Sequence, residues 1–374
     1  MSSGSSGPVL DLSAMATLGQ CIKWTIDGHD ILSMFVNFRG RCGNPQSVAI
    51  DYVADLADCL SDFELFLSQE RHLSPALALQ RDVIDDVMRE WPILESRLKQ
   101  LCPEGTNFDD VYSNRRGVLL DDEIADYASK IILSYYDHFR FSNEIPTDLC
   151  ERQGFSQCTW VFISSALHLV GVRTRYSDVY LEGVDIRKND MRDFMTEAKE
   201  YSQLADGVGI YEGQQIYIAE AGLLFNPKPD KQYFDLYKLK RCMRDAWISQ
   251  VKALSLECQP PSGMSVFGSV SCASKTTFYK MDFVGAFRFY AVNNMVIPLS
   301  KKDFGSKTRR CMTACLEFSY LVKEEMARRS TAKHASFGDR QLLQAACAKI
   351  PATSVAPRKL KRTRSKVEGT LETE

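Results

Sequence analysis

Apolar residues recur at three- and four-residue spacing over most of this chain, and that rhythm constrains its fold more than any other feature. It is strongest from Val118 to Phe139, where Ile124, Ala128, Ile131, Ile132 and Tyr135 make one face. Ala49, Val53, Leu56, Leu60 and Phe63 repeat it upstream, as do Val83, Val87, Trp91, Leu94 and Leu98 between Pro75 and Leu101, where Pro92 kinks or splits the helix. Phe155–Val172 is apolar on most sides and predicts a central helix. Further helices are predicted over Asn189–Leu204, Tyr233–Leu256, Phe278–Val296, Thr308–Ser330 and Gln341–Ile350. Cys102–Asn107 and Pro260–Gly263 are rich in turn residues and predict breaks.

One stretch departs from that rhythm. Gly209–Ile218 alternates around Glu212-Gly213, as a β-hairpin does. Asn226-Pro-Lys-Pro229 then reads as a rigid linker. The expected fold is therefore mainly α: two helical lobes with a cleft between them, one small β-hairpin, and flexible N- and C-terminal arms. The expected division is an arm over 1–22, a lobe over 23–207, a second lobe over 208–335, and an arm with a basic tail over 336–374.

Charge matters mainly by its distribution. The 374 residues carry 46 Lys and Arg against 48 Asp and Glu, a net charge of −2. Six of the cations lie between Arg358 and Lys366, so the body is mildly acidic and the tail basic, as in an arm that touches a polyanion. No apolar run approaches the length of a membrane span, and Met1–Pro8 has neither the basic nor the apolar part of a secretory signal. The twelve cysteines are accordingly expected to be reduced and packed as small hydrophobes.

Few motifs carry recognisable chemistry. The five histidines are scattered, no zinc spacing occurs, and GxSxG, Walker and GxGxxG patterns are missing, so no cofactor is expected. Asp121, Asp122 and Asp126 open one predicted helix, while Asn189, Asp193 and Glu197 recur at i, i+4 and i+8 on another. The second triplet resembles the Asn-Asp-x-x-Ser-x-x-x-Glu motif of class I terpenoid synthases, with Asp193 in place of its Ser. That resemblance implies a Mg²⁺-dependent enzyme acting on a diphosphate. The simpler reading is an acidic first turn favoured by the helix dipole and a solvated charged face.

Basic residues gather in the second half. Lys238, Lys240, Arg241 and Arg244 crowd one predicted helix. Lys275, Lys280 and Arg288 are interleaved with Phe278, Tyr279, Phe283, Phe287, Phe289 and Tyr290. Lys307, Arg309 and Arg310 follow, then Arg328 and Arg329, with Arg173 and Arg175 as first-lobe candidates. Such side chains can track a phosphate backbone while aromatics stack on bases. The alternative is that the aromatics are core and the charges an ordinary solvated surface.

Tyr320, Glu325, Met326, Arg328, Arg329, Ser330 and Lys333 resemble the segment closing the RNA-binding core of paramyxovirus nucleoproteins, Tyr then Glu-Met-x-Arg-Arg-Ser-x-x-Lys. The resemblance covers about fourteen residues. It implies a nucleoprotein of a negative-strand RNA virus, one that coats single-stranded genomic RNA and catalyses nothing. It also implies self-assembly into a helical ribonucleoprotein through the terminal arms, with a viral polymerase cofactor or phosphoprotein as a further partner. Its place would be the virion or the host cytoplasm, or the nucleus by way of the basic tail. A helical scaffold protein with a basic tail is the third expectation.

Overall fold

The computed structural model describes residues 24–26, 28–42, 49, 52–57, 62–71, 96, 98–100, 102–118, 123–189, 195–196, 198–253 and 264–331. Strands β1 (Thr25–Ile26) and β2 (His29–Asp30) form a small ribbon, and Asp30 caps helix α1 (Ile31–Arg41) by accepting from the Ser33 N–H. Strand β3 (Val53–Asp55) and helix α2 (Asp62–Arg71) follow, then α3 (Phe108–Val118), α4 (Glu123–Phe139) and the short α5 (Glu151–Gly154). A π-helical turn over Phe155–Thr159 leads into α6 (Trp160–Leu169). Next come β4 (Arg173–Tyr180), α7 (Glu182–Asn189), β5 (Leu204–Tyr211) and β6 (Gln214–Ala221). Helix α8 (Pro229–Ala253), strands β7 (Ser265–Cys272), β8 (Lys275–Phe283) and β9 (Phe287–Val296), and helix α9 (Phe304–Thr331) complete the described order.

Seven of these strands form one mixed sheet in the order β3-β9-β8-β7-β6-β5-β4. Two antiparallel meanders, β4–β5–β6 and β7–β8–β9, meet where β6 and β7 pair in parallel, with α8 as the crossover between them. Both faces are covered. Leu239, Met243, Trp247 and Val251 of α8 pack on Ile218, Val266, Val270 and Met281. On the opposite face, Phe162 of α6 and Phe318 of α9 join Tyr217, Phe267, Phe278 and Met295 in a second core. A third, around Trp24, Phe35, Phe63 and Tyr290, seats the N-terminal residues beside β9. Gly183 permits the close crossing of α7 on α8, since a Cβ there would lie 2.8 Å from the Ala246 Cα.

The mainly α, two-lobed expectation is therefore overturned by a sheet that runs from Val53 to Val296. The boundary drawn at 207/208 falls inside β5, and the core beneath α9 takes residues from both sides of it. Phe278–Val296, expected as a helix, is the β8–β9 hairpin. Strands buried on both faces lose the polar–apolar alternation that betrays a half-buried strand, so their apolar run fits a helical template equally well. Val53 likewise lies in a strand, because Val53–Asp55 pairs in parallel with Phe287–Phe289, a partner no local pattern announces.

The helix expected over Asn189–Leu204 begins where one ends. Asn189 donates from Nδ2 to the carbonyls of Asp185 and Glu200 and accepts the Glu200 N–H, which folds the following segment back on the end of α7. The ranges Val118–Phe139 and Phe155–Val172 contain α4 and α6, while α8 starts before the expected Tyr233 and α9 extends past both ends of the expected Thr308–Ser330. The Glu212-Gly213 turn is also present, with both residues at positive φ as a two-residue hairpin requires. The two terminal arms, most of Pro75–Leu101, the Pro260–Gly263 loop and Gln341–Ile350 lie outside the described residues.

Candidate functional site

Where β8 and β9 pass beneath the last turns of α9, the fold gathers cations. Lys280 and Asp282 are two apart on β8 and so share a face, and Asp282 pairs in register with Arg288 of β9. The Arg288 guanidinium grips the Asp282 carboxylate through two bonds of 2.8 and 2.7 Å and lies 5.6 Å from the Trp24 ring. From α9, buried Glu325 accepts the Ser265 N–H at 2.8 Å and Arg329 Nε at 2.9 Å. Arg329 also donates to Gln250 and to the Ser265 carbonyl, tying α9 to α8 and the start of β7. Arg328 faces outward, its side chain 55% exposed and 3.9 Å from Glu325.

Among the described residues, four cations here meet two carboxylates. Lys280 lies among them. Burial pulls its ammonium below the usual lysine range; Asp282 and Glu325 oppose that fall, while Arg328 and Arg288 add to it. An anion at this face would offset the burial cost of the ammonium and the repulsion from the two guanidiniums.

The other expected contacts are dispersed, and most are already paired. Lys238 bonds Glu220 at 2.6 Å, Lys240 bonds Asp55, and Arg244 is fully buried against Asp245. Arg241 lies 5.3 Å from the Tyr237 ring. Lys307 pairs with Asp303 at 2.9 Å, and Arg309 donates to the Cys102 carbonyl. Lys238, Lys240 and Arg244 of α8 are thus engaged by acids within the fold, as burial of charge demands. Lys275 and Arg310 are exposed, and Arg173 and Arg175 stand on β4 at the far edge of the sheet, four strands from β8. Within the nucleoprotein-like segment, Glu325, Met326 and Arg329 hold the helix in place, Arg328 points outward, and Lys333 lies outside the described residues.

Of the acidic triplets, only Asp126 and Asn189 lie among the described residues. Asp126 is exposed and pairs with Lys130 at 2.7 Å, Asn189 is committed to the end of α7, and Asp121, Asp122, Asp193 and Glu197 lie outside the described residues. Among the described residues, no three His, Cys, Asp or Glu side chains are placed to hold a metal ion.

One charged cluster went unnoticed in the sequence. At the carboxyl end of β6, Glu220 is 1% exposed; one carboxylate oxygen accepts from Lys238 and the other has no hydrogen-bond partner. Burial pushes its carboxyl up to about 8 against the pull of Lys238. Asp206, across the hairpin, accepts the Ala221 N–H at 2.7 Å and is also raised by burial. Lys231 links Glu151, Asp235 and the Ala221 carbonyl at 2.8, 3.1 and 2.8 Å. The signal was a lone acid inside the apolar run Ile216-Tyr-Ile-Ala-Glu-Ala221.

Beyond the membrane question, where no helix among the described residues is long and apolar enough to cross, comparison adds nothing: the chain matches no known protein family and no curated protein.

Proposed function

We propose that the chain binds single-stranded RNA through its phosphates, with Lys280, Arg288 and Arg328 as the contact group and no reaction catalysed. The observation that carries this is the four-against-two charge balance beneath the end of α9, with Lys280 pulled below its usual range. Phosphate contacts carry no base information, so such a face accepts any sequence. That property suits a nucleocapsid-type protein coating an entire genome.

The test is a salt titration of the affinity for a fluorescent single-stranded oligonucleotide. Three phosphate contacts give a log–log slope of about −2, at about −0.7 per contact. Lys280→Ala and Arg328→Ala should each weaken binding and flatten the slope by about one contact. A salt-independent affinity, or no binding by the intact chain, refutes the proposal.

A further inference from the structure

Three sulfurs meet where the first half of α9 lies against the end of β9. Cys311 and Cys315 are one turn apart on α9, so they share a face, with Cβ atoms about 5–6 Å apart. Both turn toward β9. The Cys311 thiol donates to the Val296 carbonyl at 3.0 Å, and the Cys315 sulfur lies 3.4 Å from the Met295 thioether. None of the three is more than 2% exposed, and all belong to the core beneath α9. Tyr127 of α4 flanks the cluster, near enough for both thiols to act on its hydroxyl.

The chemistry of these donors selects a ligand. Mg²⁺ and Ca²⁺ take oxygen ligands, and a structural zinc takes four. The spacing Cys311-Met-Thr-Ala-Cys315 fits no zinc pattern, and no third His, Cys, Asp or Glu among the described residues joins the pair. What does join it is the Met295 sulfur. Thiolate and thioether are soft donors, the pair that suits Cu(I). A core that excludes solvent also protects the reduced ion, because the apolar shell around a metal governs water access and potential.

We propose that Cys311, Cys315 and Met295 form a buried Cu(I) site. Each thiol loses its proton to solvent as its sulfur binds the metal. Cu(I) titration of the reduced full chain under nitrogen, in competition with the chelator bathocuproine disulfonate, tests it. The parent should take up about one equivalent more than Cys311→Ala/Cys315→Ala, and Cu(I) should raise the melting temperature of the parent alone. Met295→Leu conserves the core volume and both thiols, so it should fold as the parent does by circular dichroism. It should nevertheless hold the metal about tenfold more weakly. Copper-edge X-ray absorption on the parent, loaded with a single equivalent, should show sulfur neighbours only. Equal uptake by parent and double variant, unchanged affinity in Met295→Leu, or oxygen or nitrogen ligands on the copper each overturns the proposal.

Discussion

The two charged clusters are built from the same parts and resolve oppositely. Each sets charged side chains of the sheet against a long helix, β8 and β9 with α9 in one case, β5 and β6 with α8 in the other. Beneath α9 cations are in excess and Lys280 is pulled down; beneath α8, Glu151, Asp206, Glu220 and Asp235 face two lysines and Glu220 is pushed up to about 8. Burial is the first cause of both shifts, and in each cluster it destabilises the group in surplus. The basic cluster opens outward through Arg328, whereas the carboxylate of Glu220 is shut in. A surplus with an exposed edge can be relieved by a ligand, while an enclosed one is relieved by a proton.

The largest test of that contrast separates neighbours on α9. Arg329→Ala takes the close guanidinium from the buried Glu325 carboxylate, leaving it the Ser265 N–H and the long contact to Arg328, and should cost about 3–5 kcal/mol in urea denaturation. Arg328→Ala, at a side chain 55% exposed and 3.9 Å from Glu325, should stay within about 0.5 kcal/mol while weakening RNA binding. Equal stability losses would erase the division into an anchor and a contact residue.

Next in size is the proton-linked effect of Glu220. Its folded pKa stands above its ordinary 4.5, so the folded chain holds a proton that the unfolded chain releases. That contribution is complete below about 4.5 and is lost as pH rises through about 8, a fall of about 2–4 kcal/mol. Thermal melts at pH 5 and pH 9 should show the loss in the parent and a flatter profile in Glu220→Gln. A parent profile already flat across that window sinks the enclosed-surplus account.

Lys280→Met sharpens the other half of the comparison. A lysine held below its usual range costs the folded state at neutral pH, and stability recovers only as it deprotonates toward 10.5. Replacing it should raise stability by about 1 kcal/mol and lower RNA affinity, a trade expected of a binding residue. A gain in both would mark it as a misfit with no ligand. The smallest effect belongs to Lys275→Ala. At the opposite end of β8 and exposed, it should change stability by less than about 0.5 kcal/mol and leave the salt slope unchanged.

How much was legible follows from where each signal is stored. α4 announced itself because Ile124, Ala128, Ile131 and Tyr135 face one core while the other side meets water. The β5–β6 turn was visible because Glu212-Gly213 is local chemistry, a backbone reversal needing positive φ at both residues. Strands β7, β8 and β9 were hidden because Phe267, Phe278 and Met295 bury one face and Val266, Tyr279 and Phe289 the other. Of the basic candidates, the sequence supplied the residues but not their partners. Lys240 looks as available as Lys280 until Asp55, 185 positions away, closes on it.

By itself the sequence determined the long amphipathic helices, the tight turn and the supply of charge, since each depends on residues within a few positions of one another. The tertiary structure alone decided that seven of the described strands form one sheet, which cations are spent, and where charge is left over. A cation is neutralised only by an acid within about 4 Å, and strand register and helix docking bring those acids from distant parts of the chain.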